Sequence, residues 1–180
     1  MNSSPNWSLL GDLGDLTASL VVDESGSPVS ASGTSRGLGN ETDFALLMHL
    51  RRRSEVVLTS GLTARLEEYR MPSSADLAIL SRSSGYYPAE QAERKLVQLG
   101  PNPRGYLGAI TALQELGYNR IQTEFGPTGF LSIATLSSAR CLLSSKYYSG
   151  IETFVSAENL SVESSYELPE LVIATVSGRG

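Results

Sequence analysis

The segment N-R-I-Q-T-E-F-G-P-T-G-F, residues 119–130, decides how the rest of the chain is read. Ile121 and Thr123 are β-branched and alternate with polar residues, the pattern of a short strand. Gly126-Pro127-Thr128-Gly129 then turns into a helix, with Pro at the first helical position, where a missing N–H costs nothing. The N–H groups of Thr128, Gly129 and Phe130 are left at a helix N-terminus, with no side chain on Gly129 to block approach. That arrangement suits a phosphate. The competing reading is that Gly126 only supplies positive φ for the turn and that nothing binds.

Composition bounds what such a site can belong to. A chain of 180 residues, 41% hydrophobic and 18% charged, is one ordinary domain with a real core. The net charge of -5 and pI near 4.9 point away from nucleic acid or an anionic membrane as partner, while leaving room for a local basic pocket. The single cysteine, Cys141, excludes an internal disulfide framework, and with His49 as the lone histidine neither a zinc site nor a Cys–His nucleophile can be assembled. No metal is expected. The sequence shows no signal-peptide pattern and no apolar run of membrane-spanning length, so a cytoplasmic location is the expectation.

Outward from the opening segment, the chain separates into a polar arm over residues 1–14, expected to be flexible, and a single domain over 15–180. Residues 16–22 read as a strand ending in the turn Asp23-Glu24-Ser25-Gly26. The Ser- and Gly-rich stretch 27–39 has little to bury and reads as a long functional loop. Asn40 can cap a helix whose apolar spacing Phe44, Leu47, Met48 leads to Arg51-Arg52-Arg53, cations at the negative end of the helix dipole. A strand at 56–58, a helix at 62–70, strands at 77–80 and 95–99 and a helix at 106–116 follow. The helix beyond the opening segment covers 128–137. From residue 140 onward the pattern changes: 140–145, 153–155, 162–166 and 171–177 read as strands with no helices between them. Alternating strands and helices require parallel crossovers, so the expectation is an α/β fold with a mostly parallel central sheet, helices on both faces and antiparallel C-terminal strands.

Three strand ends carry similar loops: Thr59-Ser60-Gly61, Ser81-Arg82-Ser83 and Gly126-Pro127-Thr128-Gly129. In an open α/β sheet, ligands bind outside the carboxyl ends of the strands, so these loops would line one crevice. Two helix N-termini with a Ser-Arg-Ser suit a dinucleotide bearing an extra phosphate, Arg82 offering a fork to a 2′-phosphate; the alternative is a solvated loop arginine.

Five segments in order then resemble a known family: Gly37-Leu38 with Asp43 before a helix ending Leu50-Arg51; V-V-L-T-S-G-L-T-A-R-L-E at 56–67; L-S-R-S at 80–83; L-Q-E-L-G at 113–117; and T-E-F-G-P-T at 123–128. The chain is similar to the reductase domain of the riboflavin-biosynthesis deaminase-reductase, which has a dihydrofolate reductase-like fold, and to its small stand-alone pyrimidine reductase-like members. The resemblance implies an NADPH-dependent reductase of a pyrimidine or pterin-like heterocycle, akin to the 5-amino-6-(5-phosphoribosylamino)uracil reductase. Ser60, Gly61, Thr63, Ser81, Arg82, Ser83, Gly126, Pro127, Thr128 and Gly129 would hold NADPH, and Asp23, Asp43 and Glu124 would serve the substrate side. It also implies a homodimer formed in part by the strand-rich tail, with no nucleic acid and no membrane as partner. Leu62 and Phe125 stand where the family keeps small residues, and they motivate the alternative of a nucleotide-binding or regulatory module of the same fold without turnover.

Overall fold

The computed structural model describes residues 5–81, 88, 93–100 and 104–179. Its centre is an eight-stranded sheet formed by β1 (Leu16–Val22), β2 (Val56–Ser60), β3 (Asp76–Leu80), β4 (Leu96–Leu99), β5 (Ile121–Thr123), β6 (Ala139–Ser145), β7 (Leu160–Leu168) and β8 (Leu171–Gly178). The strand order is β4-β3-β2-β5-β1-β6-β8-β7. The first six strands in chain order run parallel, and β8 and β7 close one side as an antiparallel ribbon. This is the mostly parallel, dihydrofolate reductase-like α/β sheet expected from the sequence.

Strict alternation along the strands explains why both faces need helices. Val56 and Leu58 of β2 belong to one core and Val57 to another, and β6 divides in the same way, Cys141 and Leu143 against Leu142. One face is covered by α3 (Gly105–Glu115), α4 (Pro127–Ala134) and α5 (Tyr148–Ala157), which deliver Ile110, Leu113, Phe130, Ile133, Ile151 and Phe154 to the largest cluster. The other face takes α1 (Glu41–Arg53) through Leu46 and Leu50, and α2 (Gly61–Leu66) through Ala64. Asn40 caps α1 by accepting the Asp43 N–H at 2.9 Å, and Ser60 caps α2 by accepting that of Thr63 at 3.0 Å.

Residues 153–155, read as a strand, lie instead in α5. The triplet Thr-Phe-Val has strand-like composition, and Tyr147 gives the helix no side-chain cap. The deciding spacing is Ile151, Phe154, Val155, which sets one apolar stripe on the sheet. Within the stretch read as a flexible arm, Trp7–Leu10 forms a 3-10 turn, and Leu10 and Leu13 are buried with Leu46, Leu50 and Leu142. Trp7 stacks on His49 with ring centroids 5.7 Å apart. The second helix ends at Leu66 and not at 70, because Glu68 takes a left-handed φ of 48° that stops it.

Candidate functional site

A cleft of about 790 Å³ opens over the carboxyl ends of the parallel strands, between α1, α2 and the loop that joins β1 to α1. Its depth follows from the organising segment. Past β5 the chain keeps pairing with β2, the Glu124 N–H donating to the Leu58 carbonyl at 2.9 Å and the Thr59 hydroxyl to the Glu124 carbonyl at 2.8 Å. Period-2 alternation therefore persists for two further residues and sends Glu124 and Phe125 to opposite faces.

Glu124 enters the cleft and is fully engaged there. Arg51 Nε donates to its Oε1 at 2.8 Å, an Arg51 NH2 nitrogen donates to Oε2 at 2.6 Å, and the Tyr69 hydroxyl donates to Oε2 as well. The guanidinium also stands 5.3 Å from the Tyr69 ring centroid. This bidentate fork and the Tyr69 hydroxyl commit both Glu124 oxygens to protein partners. Burial, followed by the adjacent carboxylate, pushes the Tyr69 hydroxyl well above its ordinary range, so it stays a donor.

Asp43 is the cleft carboxylate with capacity to spare. It sits in the first turn of α1 and accepts the Ser144 hydroxyl at 2.6 Å. Burial raises its pKa above the ordinary value, with Ser144 opposing the shift. Gly39 makes room for it, since a Cβ at that position would collide with the Asp43 carboxylate. The third expected acid, Asp23, is not among the cleft-lining residues. Its Oδ1 accepts from Ser25 N, Ser25 Oγ and Ser27 N at 2.9, 2.7 and 2.8 Å, so it closes its own turn.

The cofactor-side residues divide similarly. Ser60 and Thr63 bond to each other at 2.9 Å within the α2 cap, and Gly61 is required by close packing, because a Cβ there would lie 2.8 Å from Ser81 Oγ. Gly61 and Ser81 are thus neighbours, though neither is among the cleft-lining residues; Arg82 and Ser83 lie outside the described residues. At the N-terminus of α4 the turn differs from expectation in two respects. Gly126 has φ of -67°, so positive φ is not what selects it. Gly129 N and Phe130 N donate to the Gly126 carbonyl at 3.0 and 3.1 Å, leaving the Thr128 N–H as the donor free to meet a ligand. No side chain caps this helix, and a Cβ on Gly126 would meet nothing within 4 Å, so the approach beside Pro127 is open. An uncapped helix N-terminus of this kind suits an anionic group. Phe125 does not obstruct it: it is 4% exposed, lies 4.6 Å from the Tyr106 ring by centroids, and packs on Gly129, where any Cβ would collide with it.

Arg51 and Tyr69 were not singled out by sequence reasoning, Arg51 being absorbed into a run of three arginines. Its signal was helical spacing: Asp43, Leu47 and Arg51 recur at i, i+4 and i+8 and all line the cleft. Ser144 had no comparable signal. Among the described residues no helix is long and apolar enough to cross a membrane.

No protein-family model and no curated protein sequence matches this chain. Solved structures do. A pyrimidine reductase-like protein from Corynebacterium diphtheriae aligns over 97% of this chain and 95% of its own, with TM-score 0.67 and 18% identity. RibD of Acinetobacter baumannii aligns over 96% of this chain and 60% of its own, with TM-score 0.64 and 15% identity. A Thermotoga maritima deaminase/5-amino-6-(5-phosphoribosylamino)uracil reductase aligns over 96% and 58%, with TM-score 0.58 and 15% identity. This chain therefore spans about three-fifths of the two longer proteins. Strand order, the antiparallel closing ribbon and the cleft over the parallel strand ends together give this chain the fold shared by the pyrimidine reductase-like proteins and the riboflavin-biosynthesis reductases.

Proposed function

We propose that the protein is an NADPH-dependent reductase of a pyrimidine- or pterin-like heterocycle. The observation that carries this reading is one cleft with an open, uncapped helix N-terminus at one wall and the partly buried carboxyl of Asp43 at another. The structural neighbours are named as reductases of such rings, which supports the same class.

NADPH, when bound, supplies a hydride. Gly126, Pro127 and the Thr128 N–H would hold its pyrophosphate at the positive end of α4, with Gly61 and Ser81 proposed as further cofactor contacts. Asp43, whose pKa burial raises, would accept a hydrogen bond from a ring N–H and pass on the proton that the reduced ring requires. The Arg51–Glu124–Tyr69 network fixes the floor against which the ring is placed. Residues of the loop over 28–39 line the outer wall and are tied to α2, Ser35 N donating to Glu67 Oε1 at 2.6 Å and Arg36 pairing with Glu68 at 2.9 Å.

Asp43→Asn tests this assignment by separating activity from stability. A carboxyl whose pKa is higher folded than unfolded binds its proton more tightly in the folded state. Its stabilising contribution is complete below the unfolded value and is lost as pH rises through the folded one. Asn is neutral throughout, so Asp43→Asn should melt higher than the parent at neutral pH and at about the same temperature near pH 3. It should also oxidise NADPH with ring substrates at least roughly a hundredfold more slowly, the scale of a lost general acid. Unchanged turnover would remove Asp43 from the reaction.

A further inference from the structure

The mouth of the cleft is apolar in a way the fold does not require. Phe44 of α1, Leu62 and Leu66 of α2 and Val29 of the β1–α1 loop are 61, 59, 49 and 45% exposed, yet all four border this one opening. Large apolar side chains gathered at a cleft from three segments, and left to water, mark a surface shaped for an apolar ligand. The charges beneath point the same way. Arg36, Arg51 and Arg70 line the cleft against Asp43, Glu67, Glu68 and Glu124. Arg51 is committed to Glu124 and Arg36 to Glu68. Among the described residues the lining thus carries three guanidinium groups against four carboxyl groups, and with the α4 N-terminus given to the cofactor only Arg70 would be left to meet a phosphate dianion on the substrate.

We infer that the heterocycle taken by this cleft carries an uncharged, apolar substituent resting on Phe44, Leu62, Leu66 and Val29, in place of a phosphorylated sugar. This deepens the reductase reading above and rests on it. It also separates the chain from its Thermotoga maritima neighbour, whose named substrate is phosphoribosylated.

Two probes with the same ring test it: lumiflavin, with a methyl substituent, and flavin mononucleotide, with a phosphorylated sugar alcohol, each titrated by fluorescence against the whole protein. NADPH binding is measured alongside by the fluorescence of its own nicotinamide. Lumiflavin is expected to bind at least roughly tenfold more tightly than flavin mononucleotide. Phe44→Ser and Leu62→Ser, both at exposed positions that the fold tolerates, should each weaken lumiflavin several-fold and leave flavin mononucleotide unchanged. Equal or tighter binding of flavin mononucleotide overturns the inference, as does lumiflavin binding that ignores both substitutions, or binding of neither probe. A dimer in sedimentation that both substitutions dissociate would also overturn it, assigning the rim to a second copy of the chain. If NADPH fails to bind while lumiflavin behaves as expected, the reductase reading falls and the apolar site stands.

Discussion

Arg51→Ala is expected to lower stability by about 3–5 kcal/mol, the cost of leaving a buried carboxylate without its cation. The side chains of Arg51 and Glu124 are 15 and 5% exposed, so water does not replace the guanidinium, and Tyr69 alone cannot satisfy both carboxylate oxygens. At roughly 2–4 °C per kcal/mol for a chain of this size, the melting temperature should fall by about 6–20 °C. The double variant Arg51→Met with Glu124→Leu removes both charges and should recover most of that loss, because the pair offsets its own desolvation and contributes little net stability. Thermal denaturation of parent, singles and double forms a mutant cycle. A loss below about 1 kcal/mol in Arg51→Ala would mean that this ion pair is hydrated and not the rigid floor described above.

Phe125→Gly should cost roughly 3–5 kcal/mol, the range for a large aromatic removed from a core, and should leave NADPH affinity unimproved. The ring packs between Tyr106 and Gly129 on the face of the sheet opposite Glu124, and it belongs to the main cluster with Phe130 and Ile133. This position decides how bulk next to the α4 N-terminus is interpreted. A side chain directed into the cleft would close the opening beside Gly126, whereas the observed one leaves it free. Melting curves and NADPH titration of the same variant separate the two cases. Tighter NADPH binding with an unchanged melting temperature would place the side chain on the cofactor side of the sheet.

The sequence made the sheet legible because β-branched runs were separated by helices whose starts left local marks: the caps Asn40 before α1 and Ser60 before α2, and Pro127 in the first turn of the uncapped α4. It misplaced α5 because the strand-like triplet Thr153-Phe154-Val155 outweighed the helical spacing Ile151, Phe154, Val155, and Tyr147 supplies no cap to mark the start. Gly150 backs onto the Asp23 carbonyl so closely that no Cβ fits, a contact across more than a hundred residues that no local pattern announces. The site was legible in the same uneven way. Asp43 and Glu124 were named through the family resemblance, and both line the cleft. Asp23 looked equivalent, but short-range bonds to Ser25 and Ser27 capture its carboxylate. Arg51 was read as a charge at a helix terminus, although its partners, Glu124 and Tyr69, arrive from the far end of β5 and from beyond α2. Long-range pairing of this kind is set by topology, and a side chain that uses it resembles any other surface arginine in the sequence.

The central claim is that this cleft binds NADPH, and titration of the full chain with NADPH, followed by nicotinamide fluorescence, tests it most directly. The account predicts saturable binding with a dissociation constant below about 1 mM, the upper end of ordinary enzyme–substrate affinities. Arg82→Ala should weaken NADPH by about 2 kcal/mol and leave NADH unaffected, if its guanidinium grips the 2′-phosphate. Absence of any saturable signal at millimolar NADPH would contradict the account and identify the protein as a module that keeps the reductase fold without its cofactor.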